Sequence, residues 1–296
     1  MLLKNILFIV LNIFCSSVFS QSYKNIEKFK SIVYTLADDS MQGREAGSEG
    51  EKKAKKFLVE YYKTIGLKTI NGSYIQEFTF PKDSSLIDTA YNLVGYINNN
   101  ADSTIIIGAH YDHLGLGGPK SRSLTNKKIH PGADDNASGV ALMLVLAEQI
   151  KKSLNIKFNY VFIAFSAHED GLYGSKAYVS KKENNLSKIK LMLNFDMVGR
   201  LNIAYPILKV TRRAKDMYFD SVLNNITHKN FQLNVSEDSL LESDATAFKN
   251  HNIPILTIST GIHDDYHKVS DITGKINFDG MYDILIYFNR FIKSLI

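Results

Sequence analysis

Five short motifs carry side chains able to bind a metal ion. His110 lies in Gly108-Ala109-His110-Tyr111-Asp112-His113. Asp134 lies in Pro131-Gly132-Ala133-Asp134-Asp135-Asn136-Ala137-Ser138-Gly139. Glu169 lies in Ala167-His168-Glu169-Asp170-Gly171-Leu172, Asp196 in Asn194-Phe195-Asp196-Met197, and His267 in Asp265-Tyr266-His267. Two imidazoles and three carboxylates suffice to hold a pair of zinc ions with one carboxylate shared between them. Such a pair activates water for hydrolysis.

Each motif alone has an ordinary explanation. A strand-end histidine is often satisfied by a backbone carbonyl. Asp, Asn and Gly between Gly132 and Gly139 are common turn and helix-cap residues, and spacing does not say which of Asp134 and Asp135 would bridge two cations. Glu169 and Asp196 follow apolar runs, so neither reads as core; the alternatives are a cap or a salt bridge to a nearby Lys or to Arg200. His267 sits in a polar loop that tolerates histidine. Asp112, two residues after His110, could accept the other ring N–H of that histidine and so fix its tautomer. The five together, in this order, are far more specific than any one.

The elements around them explain how such distant residues could meet. Residues 103–109, 158–165 and 189–195 are short apolar, β-branched or aromatic runs, as expected of strands buried on both faces. Residues 74–80, 91–97 and 253–259 also read as strands. Helical spacing appears over 47–66, with Gly66 as a stop, then from Asn136 onward, after Gly174, over 213–225, and from about Asp279 to Ile296. A polar, glycine-rich loop runs from Leu114 to Pro131. This alternation predicts a three-layer α/β/α sandwich with a largely parallel mixed central sheet. His110, Glu169 and Asp196 then fall at or just past the C-terminal ends of three strands, the edge where open α/β sheets bind ligands.

The chain of 296 residues is long enough for a large core, and its net charge of +5 is spread rather than concentrated. No basic groove suggests a nucleic-acid partner. Residues 1–20 begin with Lys4, continue through an apolar run from Ile6 to Phe14 and end in small residues, the pattern of a secretory signal peptide. The apolar run is too short to span a bilayer securely, so no stable membrane anchor is expected after cleavage. The single cysteine, Cys15, leaves with that segment. Residues 21–296 then form one catalytic domain without disulfides, secreted or periplasmic.

These motifs resemble the secreted di-zinc aminopeptidase family (the bacterial leucyl aminopeptidase-like enzymes), related to glutamate carboxypeptidases and glutaminyl cyclases. Met41-Gln42-Gly43-Arg44-Glu45-Ala46-Gly47 resembles that family's early Gly-Arg motif, and Tyr91-Asn92-Leu93-Val94-Gly95 the strand before its first ligand. The resemblance covers nearly all of residues 21–296. It implies two Zn²⁺ held by His110, Asp134, Glu169, Asp196 and His267, with Asp134 as the bridging carboxylate and Asp112 as the partner of the first histidine. It also implies a peptide substrate, hydrolysed at its N-terminal bond.

Two positions depart from the family pattern. The residue before the third ligand is a glutamate acting as general base in the family, and here it is His168. Ser243-Asp244 resembles a Ser-Asp-His motif, but Ala245 stands where the histidine would be. A neutral imidazole can accept and return a proton, but its reach is shorter and it carries no negative charge; it could also ligate zinc. Three readings follow. One is an exopeptidase with an altered proton shuttle at His168. The second is a catalytically impaired relative that keeps its metal. The third is a glutaminyl cyclase-like transferase.

Overall fold

The computed structural model describes residues 22–82, 86–124, 127–153, 157–228, 230–237 and 243–295. Residues 1–20, expected to be a signal peptide, lie outside them. Eight strands form one sheet: β1 (Ile75–Pro81), β2 (Ile87–Ile97), β3 (Thr104–His110), β4 (Asn159–Phe165), β5 (Ile189–Phe195), β6 (Ile207–Arg212), β7 (Gln232–Glu237) and β8 (Ile255–Ser259). The helices are α1 (residues 22–36), α2 (Glu49–Ile65), α3 (Gly139–Lys152), α4 (Tyr173–Ser180), α5 (Tyr218–Asn224), α6 (Ala245–Asn250) and α7 (Phe278–Ser294).

The spatial strand order is β1-β2-β4-β3-β5-β8-β6-β7. The central ladder β4-β3-β5-β8 is parallel, while β1-β2, β2-β4 and β6-β8 are antiparallel. The sheet is therefore mixed, parallel where it is most buried. Every residue of β4 is buried, and β3 and β5 are buried over their last five or six residues, so both faces must be covered by helices.

The pleat divides these strands between two cores. Ile105, Ile107, Tyr160, Phe162, Leu191 and Leu193 face a layer of α1, α2, α3, α5 and α7. Ile106, Val161, Ile163, Phe165 and Met192 face α4 and α6 through Tyr178, Val179 and Phe248. This is the expected three-layer sandwich. α3 is apolar almost all round because it lies between the sheet and α2 and α7; a helix with so little polar surface is stable only in that position. Among the described residues no helix is long and apolar enough to cross a membrane.

α2 begins at Ser48, whose hydroxyl accepts from the Glu51 amide, and ends at Gly66 in the left-handed conformation, a matched pair of start and stop signals. The sequence reading missed α1, α6, β6 and β7, and placed the start of α3 three residues early. Residues 133–138 form an irregular turn in which Asp135 and Asn136 have non-helical backbone angles. That turn presents the acidic pair to the sheet edge.

Candidate metal centre

β3 ends at His110, β5 ends one residue before Asp196, and Glu169 lies four residues beyond β4. The parallel register of β3 with β4 and β5 brings these ends side by side. His267 arrives from the loop after β8. The glycine-rich segment 114–130 holds that loop: the Arg122 amide donates to the His267 carbonyl at 2.9 Å, and the Val269 amide to the Ser123 hydroxyl at 2.9 Å. Ala167, Met197 and His267, each within two residues of one of these positions, have positive φ. Such strain in non-glycine residues collects at functional sites.

Both histidines are oriented by the main chain. His110 Nδ1 lies 3.2 Å from the Asp112 carbonyl oxygen, and His267 Nδ1 lies 3.0 Å from the Lys120 carbonyl oxygen. A carbonyl only accepts, so each Nδ1 carries a hydrogen, and in the neutral ring each Nε2 keeps its lone pair. His110 Nε2 lies 3.4 Å from Asp135 Oδ1 and 3.6 Å from Asp196 Oδ1. His267 Nε2 lies 3.3 Å from Asp135 Oδ2 and 3.3 Å from Glu169 Oε2. The two oxygens of Asp135 thus face the two histidines, one each.

Asp134, which the resemblance implies as the bridging carboxylate, lies apart from the two histidines. Asp134 Oδ1 accepts from the Gly199 amide at 2.6 Å and from the Ser138 hydroxyl at 2.8 Å, and its Oδ2 lies 3.1 Å from His263 Nε2. It ties α3 to the segment after β5, with both oxygens engaged away from His110 and His267. Asp135, the next residue, stands between the two halves of the cluster. The turn over 133–138 sends the two consecutive side chains in different directions.

Asp112 also acts differently from the expectation. Its carboxylate is 3.7 Å from His110 Nδ1, and its oxygens accept from the amides of His168 at 3.2 Å and Glu169 at 3.1 Å. Its carbonyl orients His110, while its carboxylate pins the turn that carries Glu169. Burial pushes this carboxyl up to about 7, against the opposing pull of His110 and His168. Arg200 pairs with Asp265 at 2.6 Å and is not the salt-bridge partner of Asp196.

His168 lies flat on His110, ring centroids 3.8 Å apart and planes 9° apart. Its Nδ1 is 2.8 Å from Asp244 Oδ2. Ala245 is fully buried in the core beside Phe248 and Tyr178, so that position is given to packing.

Several residues of the site were missed. His113 Nδ1 lies 3.1 Å from Glu169 Oε1 and 3.8 Å from Asp135 Oδ2. It closes the Gly108–His113 motif and could have been counted with His110. Asp271 accepts the amides of Asp134 and Asp135. Arg44 is fully buried and meets no carboxylate directly; it donates to the carbonyls of Tyr111 at 2.7 Å, Pro131 at 2.7 Å and Gly132 at 3.0 Å. Burial lowers its guanidinium to about 10, although Asp135 and Asp112 pull upward. It clamps the ends of the two segments that deliver His110 and Asp135. Only its motif, not this role, was visible beforehand.

The donor set fits a divalent cation. His110 Nε2 and Asp135 Oδ2 are buried and have no hydrogen-bond partner among the described residues, an expensive condition unless something positive binds there. Neutral imidazole and carboxylate are zinc donors. His110, His168 and Asp196 form one close group, and His113, Asp135 and Glu169 another.

The chain resembles known proteins over most of this framework. A probable leucine aminopeptidase from Trichophyton verrucosum is 29% identical over 196 residues, covering 64% of this chain and 50% of that protein. The chain spans half or less of the length of the first curated relatives it matches. A zinc aminopeptidase from Bacillus subtilis superposes with a TM-score of 0.73 at 16% identity, covering 91% of this chain and 95% of that one. A glutaminyl cyclase from Porphyromonas gingivalis superposes with a TM-score of 0.74 at 16% identity, covering 92% and 98%. These likenesses establish the fold. The profile of Peptidase family M28 matches residues 92–288, a stretch holding all five expected ligands together with Asp135, and the chain belongs to that family.

Proposed function

We propose that the protein is a secreted, zinc-dependent, aminopeptidase-like exopeptidase that cleaves the N-terminal bond of a peptide. The observation that carries this reading is Asp135, whose two oxygens each face a histidine with its Nε2 lone pair free. His110, Asp196 and Asp135 would hold one ion, and His267, Glu169 and Asp135 the other. Bound there, zinc lowers the pKa of water and polarises the scissile carbonyl.

The protein's own groups supply the rest. Asp112 and Arg44 hold the turns, and His168 is the proton acceptor and donor at the position expected of a glutamate. Burial and His110 push the His168 imidazole down, while Asp244 more than reverses this and lifts it to about 9. A neighbouring dication presses it back down, because like charges disfavour the imidazolium. Residues 1–20, with their charged start and apolar run, support export.

The experiment is hydrolysis of an aminoacyl chromogenic panel by zinc-loaded protein, with and without chelator, alongside zinc analysis. Turnover lost with the chelator and restored by zinc supports the reading. Two bound zinc ions without turnover would favour the impaired metal-binding relative, for which the exchange at His168 is the motive. Cyclisation of an N-terminal glutamine peptide would favour the transferase.

A further inference from the structure

His168 is held at three points. The Asp112 carboxylate accepts its amide, Asp244 accepts at its Nδ1, and its ring face lies on His110. The remaining polar atom is Nε2. The stacking decides what that atom can do. An imidazole donates its lone pair in the plane of the ring, and a zinc–nitrogen bond is about 2.0–2.1 Å. Two rings 3.8 Å apart and nearly parallel direct their lone pairs along separate planes. One ion bonded to both would lie far outside each plane. An ion held by His110 and Asp196 would therefore have His168 beside it and not among its ligands, although the three side chains lie close together.

Asp244 is fully buried immediately before α6, and one of its oxygens has no partner among the described residues. An ionised carboxylate only accepts, so His168 Nδ1 carries the hydrogen and Nε2 keeps its lone pair. We propose that Asp244 is a positioning residue that converts His168 into the proton-transfer group of this centre, the imidazole and the buried carboxylate acting as a couple in place of a single glutamate. Neutral imidazole plus carboxylate carries one negative charge, as a lone carboxylate does. In the step, an O–H bond of the attacking water breaks as an N–H bond forms at Nε2. That bond then breaks as the proton passes to the departing amine nitrogen. Asp244 stays ionised throughout and stabilises the transient imidazolium, as the aspartate of a catalytic triad does.

The inference rests on the exopeptidase reading, and its test separates the two. Zinc-loaded native protein is compared with D244N, H168E and H168E/D244N for zinc content, kcat and KM. Histidine ¹⁵N spectra of native and D244N protein, with the His168 signals identified from H168Q, report the tautomer. Expected are an Nδ1–H tautomer in the native protein, a switch to Nε2–H in D244N, and unchanged zinc content. D244N should lower kcat by roughly 100-fold or more with little change in KM, and by a much smaller factor in the H168E background. An equal loss in both backgrounds would assign Asp244 a structural role and overturn the proposal. So would an unaltered tautomer in D244N. If neither native protein nor H168E hydrolyses any peptide, the exopeptidase reading fails on its own, and the tautomer comparison still decides whether Asp244 sets His168.

Discussion

The carboxylate of Asp271 grips the backbone of Asp135: its Oδ2 accepts the Asp135 amide at 3.0 Å and the Asp134 amide at 3.0 Å. The contact comes from a residue 136 positions later in the chain. It fixes the turn that aims Asp135 between His110 and His267. Burial and the charge of Asp134 raise this carboxyl to about 6, a cost accepted for holding two amides. D271A should therefore weaken zinc by roughly tenfold or more, in the range seen when supports behind ligands are removed. Competition with a metallochromic chelator measures this, and native-like affinity would show that the turn holds itself.

Asp134 and Asp135 should separate cleanly. D135A removes the oxygens that face both histidines and, on the proposed reading, should cost the protein at least one of two zinc ions. D134A instead leaves the Gly199 amide and the Ser138 hydroxyl without their carboxylate. It should destabilise by about 1–3 kcal/mol, the usual cost of abandoning a buried donor. Metal analysis and thermal unfolding on the two variants give opposite patterns, and zinc loss confined to D134A would restore that residue as the bridge.

Gly132 precedes the acidic turn with φ +56°, and a Cβ there would meet the Asp135 carbonyl oxygen at 2.3 Å and the His113 ring at 2.6 Å. Both neighbours belong to the centre and neither is a flexible tip. G132A should lower stability by more than the ordinary ~1 kcal/mol left-handed penalty and reduce zinc affinity as well. Calorimetry of zinc-loaded and zinc-free protein distinguishes the two effects.

Acid should release the loop that carries His267. Burial alone would raise Asp265, but Lys275, Ser270 and Arg200 more than offset it and hold the carboxyl well below the usual range. Its folded pKa is depressed. The stabilisation is therefore present above the unfolded value near ~3.9 and is lost as pH falls below it. D265N should melt roughly 2–4 °C below native protein at pH 7 if the network contributes about 1 kcal/mol. That gap should close as the pH drops below about 4, and a gap independent of pH would count against a charge effect.

Much of this arrangement was legible because buried strands leave a plain trace. Thr104–His110, Asn159–Phe165 and Ile189–Phe195 are apolar runs of strand length, and they place three candidate ligands at one edge. The outer strands were harder to see. β7 alternates weakly, with Leu233 and Val235 only partly buried among exposed polar residues, so its period is that of a loop with two apolar residues. α6 is six residues long, too short for helical spacing to register. The site was legible as motifs but not as directions. Neighbouring aspartates look alike in a sequence, and only the backbone angles of the turn decide which one enters the cleft. Arg44, Asp271 and Asp244 act through backbone groups or through another side chain, and no local pattern marks such contacts.

The two histidines proposed as metal ligands are aimed by carbonyl groups of the main chain, at Asp112 and Lys120, whereas His168 is aimed by the side chain of Asp244. Mutation can delete a carboxylate in one step but cannot delete a peptide carbonyl. The aim of His110 and His267 thus survives any side-chain replacement at Asp112 or Lys120 that keeps the backbone in place, while the aim of His168 hangs on one replaceable group. Under the proposed reading, a descendant that replaces Asp244 alone would lose the orientation of the proton carrier while both ligand histidines keep theirs.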